Sequence, residues 1–286
     1  MLAHALAPWR QARSVWRRGS SCVRRLTFSA AETDNDALRL VFFGTDEVSL
    51  PTLKKIHQAA LDGTCDSHGR RICSDSLLVV CPPDVRKGRK RVLQPVPVKQ
   101  YCLDHGIPVV HPPSRSSSDS DAGSVPTDNE SNLQRWIPND AGVFDVGVVV
   151  SFGYMIPEEV LLRSIGPYGA INLHPSLLPR YRGAAPVPRC LLNGDKETGT
   201  SIIRVTAKKF DSGDVLLQRT YSLESVDATH GQGQGEGRGG GGGPADDCAD
   251  LGNLVASELL LVLADRGSED IMTVLLDLDE HLKQAR

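Results

Sequence analysis

From residue 38 onward, short apolar runs of strand length alternate with stretches long enough for a helix. Leu38-Arg39-Leu40-Val41-Phe42-Phe43-Gly44 is the first, and its apolar content suits a strand buried on both faces. Leu50, Leu53, Ile56 and Ala60 follow at helical spacing, with Pro51 in a first turn where its missing N–H costs nothing. Further strand-like runs lie at residues 77–81, 107–110 and 146–150, and Gly106 is placed to end the helix before the third run. Strands alternating with helices predict βαβ units with right-handed crossovers. The fold class is therefore α/β, a Rossmann-like, mostly parallel twisted sheet flanked by helices.

Composition narrows the setting. Apolar residues make up 40% of the chain and charged residues 23%, which excludes disorder of the whole chain. The longest apolar run, Leu259 to Ala264, is far too short to cross a bilayer, so no membrane partner is expected. Seven cysteines without a Cys-x-x-Cys pair argue against a disulfide framework and against a zinc site. Residues 1–31 hold six arginines and no acid; without them the net charge of −3 becomes −9. Leu2, Leu6, Trp9, Val15 and Trp16 can form one apolar side of a helix there. The segment reads as a mitochondrial transit peptide, which places the chain in the mitochondrial matrix.

Two segments interrupt the α/β pattern. Residues 112–132 are rich in Ser, Asp, Pro and Asn and read as a surface loop. Residues 226–247 enclose five consecutive glycines, from Gly239 to Gly243, and read as a flexible linker. Beyond it, residues 248–286 predict two amphipathic helices. Leu251, Leu254, Val255, Leu259 and Val262 line the first, and Ile271, Val274, Leu275, Leu278 and Leu282 the second. Ser268 is placed as the cap between them. No second β-rich domain is expected there.

The chemistry concentrates after residue 169. Residues 169–174 read as a strand that stops at Pro175, and Asn172 and His174, two apart, share one side of it. They sit at the strand's C-terminal end, the edge where open α/β sheets bind ligands. An amide can hold a carbonyl oxygen, and an imidazole can serve a developing oxyanion or exchange a proton. Asp211, in an acidic glycine-containing turn after the run 200–205, could orient that imidazole and raise its pKa. On spacing alone the same residues also read as a structural pair and a turn cap. Sequences of the forms GxxxxGK[ST], HExxH and GxSxG do not occur.

The run from Asn172 to Pro186, with Ser-Leu-Leu-Pro-Arg-Tyr-Arg-Gly-Ala-Ala-Pro at its centre, closely resembles the signature of the methionyl-tRNA formyltransferases. Gly194-Asp195-Lys196-Glu197-Thr198-Gly199, the opening run 39–45 and the basic stretch 83–99 are similar to the same family. The resemblance covers residues 38–225, which become the expected catalytic domain. With the arginine-rich leader, it is to the mitochondrial members.

It implies transfer of a formyl group from 10-formyltetrahydrofolate to the amino group of methionyl-tRNA, by a monomer and without a metal. Catalytic roles fall on Asn172, His174 and Asp211. Folate contacts fall on Ser176, Leu177, Leu178 and Pro179 and on the turn Phe152, Gly153, Tyr154, Met155 and Ile156. Contacts to tRNA fall on Arg86, Lys87, Arg89, Lys90 and Arg91, five cations in six residues, a charge run that also suits a solvated face. The family's C-terminal β-barrel has no match here; the linker and two helices stand in its place. Two rival readings follow: a formyltransferase acting on a small amine, and a folate- or tRNA-binding form with little activity.

Overall fold

A computed structural model describes residues 37–113, 136–223 and 256–284, apart from 88, 90, 139, 140, 167 and 208. The leader (1–31), the linker (226–247), Lys90 and most of the loop 112–132 lie outside these residues. So does the start of the helix expected from 251.

Seven strands form one sheet: β1 (Ala37–Gly44), β2 (Arg71–Val80), β5 (Val109–Val110), β6 (Val146–Val150), β7 (Ala170–His174), β8 (Glu197–Arg204) and β9 (Val215–Ser222). Their order is β5-β2-β1-β6-β7-β8-β9. The first five strands run parallel, and β8 and β9 return antiparallel. All five residues of β6 are buried, as a central parallel strand requires. β9 is an edge strand and mostly exposed, and only its first three residues, Val215 to Leu217, are an apolar run. Helices α1 (Leu50–Asp62), α2 (Pro97–His105), α3 (Glu158–Arg163) and α4 (Pro186–Leu192) connect the strands. Gly63 and Gly106 end α1 and α2 in left-handed geometry. A small antiparallel hairpin, β3 (Val85–Lys87) with β4 (Val92–Gln94), stands apart from the main sheet.

The core has two layers. On one face, Leu40, Phe42, Val148, Ile171 and Leu173 pack with residues of α1, α2 and the C-terminal helix. On the other, Val41, Phe43, Val149 and Ala170 pack with Trp136, Phe152 and Val160. Cys65, Cys81, Cys102 and Cys190 are free thiols. Burial pushes the Cys81 and Cys102 thiols up to about 12.

The C-terminal helices differ from the expected pair. One helix, α5 (Ala256–Leu276), runs through residue 268 without a break, and only the short α6 (Leu278–Gln284) follows. Ser268 is not a cap. Its buried hydroxyl donates to the Asp265 carbonyl within the helix, so the hydrogen bond a cap would make is made internally. Gly267 serves close packing: a Cβ there would stand 2.5 Å from a methyl of Leu173.

Asp270 ties α5 to the sheet. Its buried carboxylate accepts from Thr200 Oγ1 at 2.9 Å and from Arg219 Nε. Replacement of Asp270 by alanine strands the buried Thr200 hydroxyl and is expected to cost about 1–3 kcal/mol of stability. Chemical denaturation of wild type and Asp270→Ala measures this.

Candidate active site

Parallel strands deliver their C-terminal ends to one rim, and β7 lies between β6 and β8 along it. Because side chains alternate along β7, Asn172 and His174 emerge on the side of Ala170, while Leu173 turns to the opposite layer. Asp211 reaches them from the turn between β8 and β9. Gly213 permits this turn, since a Cβ there would stand 1.8 Å from the Arg204 carbonyl oxygen.

The three side chains meet. Asn172 Nδ2 donates to Asp211 Oδ1 at 3.0 Å, and His174 Nδ1 lies 3.4 Å from Asp211 Oδ2. The backbone N–H of Gly183 donates to the same Oδ2 at 2.9 Å. The other ring nitrogen of His174, Nε2, donates to the Tyr181 carbonyl at 3.0 Å. An acceptor therefore faces each ring nitrogen of a histidine that is only 5% exposed. Tyr181 is itself pinned, its hydroxyl donating to Asp195 at 2.6 Å beside Arg180 at 2.8 Å. The Tyr181 hydroxyl, and then Arg180, hold the Asp195 carboxyl below its usual range.

A cavity of about 830 Å³ opens over the three residues. Asn172, His174 and Asp211 all line it, as do Phe152, Gly153, Tyr154, Met155 and Ile156. Ser151, Ala185 and Asp211, three of the five non-glycine residues with left-handed backbone among the described residues, also line it. Strain collected at one place is a property of sites whose surroundings enforce a geometry.

Ser176, Leu177, Leu178 and Pro179 do not line this cavity. Their turn folds back over β8 and β9, with its polar groups satisfied within the protein. Ser176 Oγ donates to Arg180 O at 2.8 Å, Ser201 Oγ to Ser176 O at 2.7 Å, and Gln218 Nε2 to Leu178 O at 3.1 Å. Here the turn acts as a brace that carries the chain round to Tyr181 and Gly183.

The basic stretch is the β3–β4 hairpin. It leaves the C-terminal end of β2, so it rises from the rim that carries the cavity. Arg86, Arg89 and Arg91 are exposed, and Lys99 anchors its base to Asp84 at 2.5 Å. The Lys87 and Lys90 side chains lie outside the described residues.

Sequence reasoning missed several wall residues. Thr45 and Asp46 follow β1 at the same rim, so the C-terminal-edge rule could have found them. Asp46 accepts from Ser151 Oγ at 2.8 Å, joining the ends of β1 and β6. Leu260 and Ala264 of α5 carry no local signal that assigns them to a site. Among the described residues no three His, Cys, Asp or Glu side chains gather as a metal site. No described helix is long and apolar enough to cross a membrane.

Comparisons with known proteins identify the family. A family model described as formyl transferase matches residues 38–233. The methionyl-tRNA formyltransferase of Geobacter sulfurreducens is 37% identical over 182 residues, covering 64% of this chain and 48% of that protein. That of Paraburkholderia phymatum is 35% identical over 192 residues, covering 67% and 52%. The chain thus spans about half the length of these relatives. In fold it is similar to a crystal structure of phosphoribosylglycinamide formyltransferase from Brucella melitensis. The TM-score is 0.52 at 16% identity, over 85% of this chain and 95% of that one.

Replacing Asp211 by asparagine keeps the shape but turns one acceptor oxygen into a donor. The Gly183 amide should then lose protection, with hydrogen exchange accelerating about 10- to 100-fold for a charged hydrogen bond of roughly 1.5–3 kcal/mol. Amide exchange by NMR reads this directly.

Proposed function

The chain belongs to the formyl transferase family, and on that premise we propose that it transfers the formyl group of 10-formyltetrahydrofolate to the amino group of methionyl-tRNA in the mitochondrial matrix. The observation that carries the reading is the meeting of Asn172, His174 and Asp211 at the floor of one cavity. The tRNA acceptor is supported by relatives named methionyl-tRNA formyltransferase and by the basic hairpin. The compartment is supported by the arginine-rich, acid-free first 31 residues.

The chemistry follows from the residues. The lone pair of the substrate amine attacks the formyl carbon, and the carbonyl oxygen becomes an oxyanion. Asn172 bonds Asp211 through one amide hydrogen and keeps a second for that oxygen. The looser 3.4 Å contact of His174 with Asp211 lets the ring nitrogen exchange partners as charge develops. Collapse breaks the bond from the formyl carbon to the folate nitrogen. The proton lost by the attacking amine passes to that leaving nitrogen through the His174–Asp211 pair. The folate would rest against the 152–156 turn, whose backbone groups and aromatic rings suit a planar heterocycle.

A small-amine acceptor is the second reading, and the hairpin weighs against it. Residues 85–94 contain five cations and no acid, more than the one or two phosphates of a nucleotide or sugar amine call for and suited to the successive phosphates of a nucleic-acid backbone.

The full chain, supplied with 10-formyltetrahydrofolate and charged initiator tRNA, should yield formylmethionyl-tRNA. His174→Ala should lower kcat by about 10²–10⁴, the typical effect of removing a side chain that transfers a proton in the transition state. Near-wild-type turnover by His174→Ala would refute the assignment. Binding of tRNA should weaken steeply with salt. Arg89→Glu with Arg91→Glu should flatten that dependence, the slope falling by about 0.9 for each phosphate that is no longer neutralised. Filter binding across a salt series tests it.

A further inference from the structure

The run 194–199 contributes no residue to the cavity wall. It carries the chain from the end of α4 into β8. Asp195 within it bonds two residues of the loop 180–183, Arg180 and Tyr181. That loop in turn holds both members of the His174–Asp211 pair. The Tyr181 carbonyl accepts from His174, and the Gly183 N–H donates to Asp211.

The Tyr181 backbone has a φ of +59°, a conformation that a residue with a side chain rarely keeps unless its surroundings enforce it. The enforcement comes through the tyrosine side chain. Its hydroxyl donates to Asp195 Oδ2 at 2.6 Å and accepts from Asn193 Nδ2 at 2.9 Å and from Arg180 Nη2 at 3.2 Å. A hydroxyl has one hydrogen and two lone pairs, so each is committed. Arg180 also donates to Asp195 Oδ1 at 2.8 Å. The guanidiniums of Arg180 and Arg189 lie 5.2 and 5.5 Å from the centroid of the tyrosine ring. Of these four neighbours, Asp195 supplies the acceptor that the tyrosine hydrogen needs.

A neutral His174 ring can carry its hydrogen on either nitrogen. A carbonyl oxygen only accepts, so Tyr181 O at 3.0 Å keeps that hydrogen on Nε2. Nδ1, 3.4 Å from Asp211 Oδ2, is then the nitrogen that gains and loses a proton. If the carbonyl turns aside, the other tautomer takes over. Nδ1–H then donates to Asp211, Nε2 is bare, and Nδ1 can no longer accept the proton leaving the amine.

We propose that Asp195 is a positioning residue for formyl transfer: by fixing the Tyr181 hydroxyl it keeps the Tyr181 carbonyl on His174 Nε2 and leaves Nδ1 to exchange a proton beside Asp211. This role rests on the reading that His174 and Asp211 carry the proton of the transfer. Asp195 meets no reacting atom and acts through Tyr181 alone.

The test uses the full chain with Asp195→Ala and Tyr181→Phe. The second variant keeps the ring beside its guanidiniums and removes only the hydroxyl, so it reports even where the first fails to fold. Nitrogen-15 NMR of the histidine rings, at a pH where the His174 ring is neutral, reads the tautomer. In the wild type Nε2 should give the signal of a protonated nitrogen and Nδ1 that of a bare one. In both variants the Nδ1–H form should appear. Formylation of charged initiator tRNA should lose about 10- to 100-fold in kcat, the scale of moving a reacting group by about 1 Å, with KM for 10-formyltetrahydrofolate changed less than about twofold.

A wild-type ring protonated on Nδ1, or nitrogen signals unchanged in both variants, overturns the positioning role. A loss confined to KM overturns it as well. Appearance of the Nδ1–H form in both variants, in a chain that formylates no charged tRNA, would retire the tRNA reading and leave the hold of Asp195 on His174 standing.

Discussion

The carboxylate of Asp211 accepts from Asn172 and from the Gly183 backbone and faces the ring of His174. Three separate pieces of chain therefore converge on one charge: the end of β7, the turn between β8 and β9, and the loop that leads into α4. Water cannot replace those contacts without separating the pieces, and a buried polar group left unpaired costs more than the bond itself was worth. The left-handed backbone at Asp211, Ser151 and Ala185 persists against this constraint. Gly183 also has positive φ, and there the geometry is free.

The arrangement separates two jobs by using the alternation of a strand. Along β7, residues 172 and 174 carry the polar chemistry, while residue 173 between them holds α5 against the sheet through Gly267. A helix that anchors the core thus also reaches the active-site cavity. Asp270 on that helix binds Thr200 of β8 and Arg219 of β9, so the edge of the sheet and the cavity wall share one support.

The buried parallel strands were legible because a strand covered on both faces needs a continuous apolar run. The run 146–150 coincides with β6, and Gly106 ends α2 where its backbone freedom is needed. β9 and the β3–β4 hairpin were not legible, since exposed strands carry no apolar run along their whole length. Ser268 misled for a local reason. Serine after glycine looks like a helix boundary, yet Gly267 is there to let Leu173 approach and Ser268 bonds its own helix. The Ser176–Pro179 turn shows what a motif alone does not reveal: its polar groups brace β8 and β9.

The amino-acid sequence alone determined the periodic features: an α/β sheet, and Asn172 and His174 on one side of a strand end. Those depend on backbone repeats of two and 3.6 residues, which operate over a few neighbours. Only the tertiary structure decided that Asp211, 39 residues beyond Asn172, bonds both Asn172 and the Gly183 amide, that the Tyr181 carbonyl holds the second ring nitrogen, and that Leu260 walls the cavity. Those contacts arise when strands close into a sheet and a helix packs across it, and no local repeat in the chain encodes such distances.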